Sequence, residues 1–388
     1  MLYQKFIWPA LALVGVLAGA LTGYLTRMSQ QDAAAVNTDG PEQVALTATD
    51  SFSIRFFKAA LNETKGNVLT APHSIADALL AIRDIAAGES RNEIEQQHLT
   101  DSTLKRYPEP LSFTLLAVDI NVPREHTPES IIVLPFSENF PTALSLFNGL
   151  LAQGSPDAQA QFATSDMCST RTKLLGGCVA YHLADWDIPF RASNSRLANF
   201  DCSSGAYTSF TQMRSRGAYR TARAADGSWE AVALMQKQRA GNIPLAFIGI
   251  LPGSSARDFA HSLTPERITE IRQALAAAKP EDTLVELPRQ EYGVRPHDLR
   301  HFLRQLGIRS VFDSTGADFS PLAQEKIHLS GLIHSCSISL TETHGDDAAD
   351  PTLEQAARRI SFTRPFIWLI TDLSSNTPID FIGLIEEL

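Results

Sequence analysis

The most distinctive segment of the chain runs from Leu287 to Ser320 and reads LPRQEYGVRPHDLRHFLRQLGIRSVFDSTGADFS. Within it, residues 296–306 have the apolar spacing of a helix. Outward from this stretch, the segments before about residue 95 are mostly helical in pattern, whereas those from about Leu111 onward are mostly strand-like. Early helices, many strands and mixed later segments predict an α+β domain.

The composition is that of a folded protein without an affinity for nucleic acids. The chain has 388 residues, 44% of them hydrophobic and 20% charged, so it can bury a large core. Its 33 Lys and Arg against 43 Asp and Glu give a net charge of −10, whereas nucleic-acid-binding proteins normally present a basic surface. Cysteines and histidines lack the spacing of a zinc site, and we predict no metal or other cofactor.

Four cysteines are too few for a disulfide scaffold. The sequence allows a single disulfide bond, either between Cys168 and Cys178 or between Cys178 and Cys202. It does not choose between them, because pairing cannot be deduced from sequence alone.

The N-terminus, residues 1–27, is predicted to be a signal peptide or a transmembrane signal-anchor. Residues 6–25 form an almost unbroken apolar run between Lys5 and Arg27. Small residues at 18–20 suit cleavage by a signal peptidase. As an uncleaved anchor, about 20 residues would just span a hydrocarbon core of about 30 Å. Both alternatives predict export, and the domain would touch a membrane only through this run.

The rest of the chain is predicted to be one large domain behind a linker. Residues 28–50 are rich in Gln, Ala, Thr and Asp without a hydrophobic period, which is typical of a flexible linker. No second linker and no internal repeat follow, so residues 51–388 are predicted to fold as a single domain. We expect a monomer.

Motifs along this domain resemble those of a known family. Residues 67–79 read NVLTAPHSIADAL and are similar to the serpin segment N-x-x-x-S-P-x-S-I-x-x-A-L. Residues 181–190, YHLADWDIPF, resemble the serpin pattern F-x-G-x-W-x-x-P-F, and residues 287–320 are the best match. FTRPF at 362–366 and FIG at 381–383 end the chain as serpins do. By the order and spacing of these motifs the chain is identified as a member of the serpin family.

The resemblance implies a serpin fold of three β-sheets and about eight helices, and the role of a serine-type endopeptidase inhibitor without catalytic residues. In inhibitory serpins an exposed reactive-centre loop offers a bait bond to a serine protease, and the cleaved loop inserts as a strand into the central sheet. Counting along the family's loop from Glu342 places the bait bond at Arg358–Arg359, which suits a trypsin-like protease. Alternatively, both arginines are solvated charges at the entrance of a strand.

The hinge of this loop is poorly suited to insertion. By resemblance it comprises Glu342, His344, Gly345, Asp346 and Asp347. Since alternate residues of an inserted strand face the core, one register buries Asp347 and Pro351 and the other Asp346 and Asp350. A buried carboxylate without a partner is costly, and proline lacks the donor that a central strand needs. The loop is also shorter than in inhibitory serpins.

We therefore expect that this chain no longer traps a protease irreversibly by loop insertion. Such a hinge still allows a reversible block, in which the loop is held in the protease cleft. The alternative is a non-inhibitory serpin with a binding or chaperone-like role.

Five residues are expected at the shutter and breach of the central sheet, where serpins open: Ser74, Cys178, Trp186, Arg289 and His334. Cys178 replaces the family's Asn opposite His334, and Trp186 stands at the top of the sheet. Arg289 is expected to pair with Glu342. We interpret Cys178 and His334 as a buried hydrogen-bonded pair rather than a thiolate nucleophile, and we predict no enzymatic activity.

Overall fold

The computed structural model of the chain describes residues 42–99, 106–107, 111–157, 160–238, 243–343, 348–374 and 378–388. The predicted signal or anchor and four of the hinge residues, His344, Gly345, Asp346 and Asp347, lie outside these ranges. Among the helices within the ranges, none has the length and apolar character needed to cross a membrane.

The first helix begins earlier than predicted. α1 (Glu42–Glu63) includes residues 42–50, which the sequence pattern assigned to the linker. These residues have no hydrophobic period, but they contain no Gly or Pro and are rich in Ala, Glu, Gln and Leu, which favour a helix. Extending a helix that has already nucleated is also easy. The linker boundary at residue 50 is therefore corrected.

Six more helices lie in the described ranges: α2 (Pro72–Ile85), α3 (Gly88–Glu95), α4 (Phe140–Leu151), α5 (Ala256–Ser262), α6 (Pro265–Ala277) and α7 (Arg300–Gln305). The helices α2, α4 and α6 have a proline in the first turn, where its missing amide hydrogen is not needed. The helix predicted at 296–306 shortens to α7, because residues 290–298 are extended.

Sixteen strands are present in the described ranges: β1 (Val68–Thr70), β2 (Arg106–Tyr107), β3 (Leu111–Asp119), β4 (Ile131–Leu134), β5 (Leu174–Leu183), β6 (Arg196–Asp201), β7 (Tyr207–Arg223), β8 (Trp229–Met235), β9 (Ile243–Pro244), β10 (Ala246–Pro252), β11 (Glu281–Pro288), β12 (Gln290–Asp298), β13 (Leu329–Leu340), β14 (Arg358–Ser361), β15 (Phe366–Thr371) and β16 (Phe381–Ile385). Five of them form a sheet in the order β12-β13-β5-β3-β4, which we call the central sheet. The short strands β2 and β9 pair separately.

The remaining nine strands form two sheets joined by the long strand β7. Its first part pairs with β6 and β11, and β14 lies beyond β11. Its last four residues pair with β8, from which the order continues β10-β15-β16-β1. Together with the central sheet, this gives three sheets in a single domain. The predicted α+β fold with three sheets is confirmed, with seven helices in the described ranges where about eight were expected.

The central sheet is closed between β5 and β13. These strands are parallel and remain in register over eight consecutive pairs, from Gly176 opposite Leu332 to Leu183 opposite Ser339. The chain leaves β13 at Leu340 and reaches β14 only at Arg358, so the loop of interest starts at the end of this strand pair.

A large aromatic core fills the space beneath the central sheet. Phe247 stacks on Trp368 with ring centroids 5.8 Å apart, and both side chains are fully buried. Gly383 lies directly against Trp368, where a Cβ atom would come within 2.5 Å of the indole ring. Only glycine lets β16 approach so closely.

Candidate functional site

The two arginines of the predicted bait bond lie in a strand rather than on a free loop. Arg358 and Arg359 are the first residues of β14, and four residues of β14 pair in parallel with β11. Ile360 comes next and is only 2% exposed, so this part of the chain is anchored in the sheet. The prediction of an exposed Arg-Arg loop is therefore corrected. Counting from Glu342 assumed the family's loop length, and the loop here is shorter.

Both arginine side chains are engaged in ion pairs. Arg358 reaches Glu281 through Nη1 and Glu230 through Nη2, each at 2.6 Å. Arg359 pairs with Glu354. These contacts match the alternative of charges at the entrance of a strand.

Between β13 and β14 the structure describes residues 341–343 and 348–357, and we call residues 348–357 the connecting segment. Ala348, Ala349 and Ala357 are exposed in it, whereas Leu353 is buried. Its only helical element in the described residues is one 3₁₀ turn, Leu353–Gln355. The ends of the segment are thus open to a partner, while Leu353 anchors its middle to the domain.

The first half of the connecting segment is held by residues that precede β6. Arg191 donates from Nη1 to the carbonyl oxygen of Ala348 at 3.4 Å, and the amide of Asp350 donates to Asn194 Oδ1 at 2.8 Å. The Asp350 carboxylate accepts from the amide and hydroxyl of Thr352, and these bonds hold the pKa of Asp350 below its usual range. The side chain of Asp350 is therefore occupied within the segment itself.

The second half is held by β7 and β11. Arg216 donates from Nη1 to the carbonyl oxygen of Thr352 at 2.6 Å and forms two 2.7 Å bonds with the Asp282 carboxylate. The same carboxylate accepts from the amide of Ala357 at 3.3 Å. The bonds from Arg216 lower the pKa of Asp282, so the carboxylate stays ionised and keeps this contact.

Arg214 connects the segment to a buried carboxylate. Glu286 on β11 is 2% exposed and accepts from Arg214 Nε and Arg196 Nη2, both at 3.0 Å. The other arm of Arg214 pairs with Glu354 of the connecting segment and lowers the pKa of that carboxyl. The ion pair with Glu286 thus holds the guanidinium of Arg214 in the position from which it binds Glu354 of the connecting segment.

Sequence reasoning missed these arginines as functional residues. Arg214 and Arg216 are two positions apart in β7 and therefore lie on the same face of the strand. That R-x-R spacing was the available signal. Their partners Glu354, Asp282 and Glu286 come from other parts of the chain, which no local pattern brings together.

At the start of the loop, the expected pair between Arg289 and Glu342 is present. Arg289 Nε lies 2.9 Å from Glu342 Oε2, and Ser195 Oγ donates to Oε1 at 2.7 Å. Glu342 is buried, and the next residue, Thr343, donates from its amide to the carbonyl oxygen of Phe190 at 2.8 Å. The chain is thus tied down for three residues beyond β13.

The shutter residues form a buried polar cluster. Cys178 Sγ lies 3.3 Å from His334 Nδ1, which is also 3.2 Å from the carbonyl oxygen of Cys178. Ser74 donates to the carbonyl oxygen of Ala71 at 3.2 Å. Burial raises the pKa of the Cys178 thiol and lowers the pKa of His334 to about 3, so both groups stay neutral. A neutral, buried thiol is a structural group rather than a nucleophile.

None of the disulfides left open by the sequence forms. Cys168, Cys178, Cys202 and Cys336 are all described, and all four are buried free thiols.

Trp186 closes the top of the central sheet as expected. It is 1% exposed, its Nε1 donates to the carbonyl oxygen of Thr341 at 2.8 Å, and it packs edge-on against Phe190 and Phe247. Trp186 therefore joins the aromatic core to the residue from which the loop departs.

Buried His182 predicts a loss of stability in acid. Neither of its ring nitrogens has a hydrogen-bond partner among the described residues, and burial lowers its pKa to about 4 from 6.5. As the pH falls, His182 therefore binds a proton in the unfolded chain before it does so in the folded chain. The stabilising contribution is complete above pH 6.5 and is lost as the pH falls towards 4. Between about pH 7.5 and about pH 4.5, we expect His182 to account for about 2.5 kcal/mol of lost unfolding free energy.

The measurement is urea unfolding of the parent chain and of His182→Leu across this pH range. The variant is expected to lose less stability in acid by that amount. The matched control is His301→Leu, since the His301 side chain is 64% exposed. Equal pH dependence in parent and His182→Leu would contradict the assignment.

Comparison with known proteins places this geometry in a family. The family model described as "Serpin (serine protease inhibitor)" matches residues 143–387, which is more than half of the chain. A serine proteinase inhibitor from Cavia porcellus is 26% identical, with 83% of each chain covered. Plasminogen activator inhibitor 1 from Bos taurus is 22% identical, covering 89% of this chain and 93% of that protein.

Solved structures agree on the fold. A crystal structure of maspin covers 90% of this chain and 100% of its own, with a TM-score of 0.76 and 18% identity. Uncleaved ovalbumin gives a TM-score of 0.75 at 16% identity, over 88% of this chain and 99% of its own. Fold, motifs and family model coincide, and the chain belongs to the serpin family.

Proposed function

We propose that this chain inhibits a serine protease by presenting the connecting segment, and that the block is reversible because the segment does not insert into the central sheet. The observation that carries the proposal is the exposure of both ends of residues 348–357 between β13 and β14, in a chain of the serpin family. The names of two relatives, a serine proteinase inhibitor and plasminogen activator inhibitor 1, support a protease as the partner.

Two features argue against insertion. A new strand between β5 and β13 would have to break eight pairs that are now in register. It would also have to bury Asp350 or Pro351, depending on register. Asp350 has a lowered pKa and resists neutralisation, and Pro351 offers no amide hydrogen to a neighbouring strand. The segment is better suited to being held in a protease cleft than to becoming a strand.

The test measures inhibition and its reversal with the full chain. Trypsin-, chymotrypsin- and elastase-type serine proteases are each incubated with an excess of the chain, residual activity is read, and the mixture is then diluted. We expect one class to be inhibited and to recover on dilution, without a complex that survives boiling in detergent. Full activity of all three classes would refute inhibition, and a boiling-resistant complex would refute the reversible mechanism.

Export is part of the same proposal. The apolar run at 6–25 and its small residues at 18–20 support a signal peptide or an anchor that delivers the domain outside the cytoplasm, where it acts as a monomer. N-terminal sequencing of the chain after expression with export machinery distinguishes the two. A chain that remains in the cytoplasm would contradict both.

A further inference from the structure

Three of the larger side chains of the connecting segment are already engaged. The Asp350 carboxylate accepts bonds from Thr352, Leu353 is 5% exposed, and Glu354 pairs with Arg214 and Arg359. A protease that binds a bait residue takes up the side chain of that residue in its specificity pocket. Asp350, Leu353 and Glu354 cannot enter such a pocket without breaking their present contacts.

The two alanines at the start of the segment, by contrast, are exposed to solvent. Ala348 and Ala349 are exposed, and the two residues that follow Asp350 in the chain, Pro351 and Thr352, are exposed as well. A protease therefore finds accessible chain on the C-terminal side of either alanine. Ala357 is also exposed, but it directly precedes β14, so the chain on its C-terminal side is paired in the sheet.

The arginines downstream are protected by the fold. To enter a protease cleft, the Arg358–Arg359 bond would need the following residues in extended form away from β11. Ile360 is 2% exposed and Phe362 is fully buried, so this would pull two core side chains out of the domain.

We infer that the bait bond follows Ala348 or Ala349, and that the partner is a serine protease whose specificity pocket accepts a methyl group. In the chymotrypsin-like enzymes, an acidic pocket selects Arg and Lys, a deep apolar pocket selects aromatic residues, and a small pocket selects small ones. Only the last fits these alanines. The inference rests on the proposed function and names the class of its target as elastase-type.

The short distance from the hinge agrees with the absence of insertion. A cut after Ala348 or Ala349 leaves few residues beyond Glu342 to form a strand beside β5, which is ten residues long. The bait position and the reversible mechanism are thus two consequences of the same short loop.

The experiment exposes the full chain to matched amounts of elastase-type and trypsin-type protease, and reads both the cut position by mass spectrometry and the residual protease activity. The first elastase fragment is expected to begin at Ala349 or Asp350. This cut should be at least about tenfold faster than trypsin cleavage after Arg358, because trypsin must wait for local opening of β14.

Two variants sharpen the result. Ala348→Arg together with Ala349→Arg is expected to move trypsin cleavage into the segment and to abolish elastase inhibition. The control Arg358→Gln removes the competing bait residue and is expected to leave the elastase cut and elastase inhibition unchanged.

The readouts separate the two ideas. Inhibition of the trypsin-type enzyme with a cut after Arg358 would overturn the inference and leave the proposed function standing. A cut at the alanines with full elastase activity would overturn the inference that an elastase-type protease is the target, as would an uncut chain with a fully active elastase. The proposed function is overturned only if the trypsin- and chymotrypsin-type enzymes also keep full activity.

Discussion

Replacing Trp186 by alanine is expected to lower the free energy of unfolding by about 4 kcal/mol, the usual cost of removing a large aromatic side chain from a core. Trp186 is 1% exposed and packs against Phe190 and Phe247 with centroid distances of 5.3 and 6.0 Å. The change also removes the donor to the carbonyl oxygen of Thr341, which then remains unsatisfied where the loop leaves β13.

Urea unfolding followed by circular dichroism measures this effect. The conservative variant Trp186→Phe keeps much of the packing and is expected to lose less. Leu197→Ala serves as the surface control, because Leu197 is 77% exposed and substitutions at such sites usually change stability by less than about 0.5 kcal/mol. A loss in Trp186→Ala no larger than in this control would show that Trp186 does not hold the top of the sheet.

Replacing Glu286 by glutamine is the second large effect, with an expected loss of about 3 kcal/mol. The variant keeps the shape of the side chain but leaves the guanidinium of Arg214, whose side chain is only 10% exposed, without its buried carboxylate. Without this ion pair, Arg214 is less firmly held in place and restrains Glu354 less strongly. We therefore also expect the connecting segment to be cleaved faster by an elastase-type protease.

Unfolding and limited proteolysis of Glu286→Gln read the two consequences separately. Glu291→Gln is the matched control, because Glu291 is exposed on β12. A large loss of stability with an unchanged cleavage rate would mean that Arg214 does not restrain the segment. Unchanged stability would mean that the ion pair with Glu286 contributes nothing.

The contacts that could be predicted from the sequence are local or lie in segments that match whole motifs. Trp186, the contact of Cys178 with His334 and the pair of Arg289 with Glu342 were all expected, because the resemblance of the surrounding motifs to the family assigns a place to each residue. The three sheets followed from the same motifs. Each prediction needed only the position that the family resemblance assigns to a residue.

The parts that failed depended on length and on distant partners. The bait bond was placed at Arg358–Arg359 by counting from Glu342, but Ile360 and Phe362 are hydrophobic anchors that hold the arginines in β14. The tethers of the connecting segment join side chains from three strands and a preceding turn, which local patterns do not reveal. At the other end of the domain, α1 extends through residues whose helical propensity outweighs their lack of a hydrophobic period.

The most direct test of the account compares the thermal unfolding of the chain before and after a single cut in the connecting segment. An inserted strand with about ten hydrogen bonds of about 1 kcal/mol each, in a domain of about 340 residues, corresponds to a rise of about 15 °C in Tm. We expect the cut chain to melt within a few degrees of the intact one, because the segment stays outside the central sheet. A rise of about 15 °C would mean that the chain preceding the cut inserts into the central sheet, and would contradict the reversible mechanism.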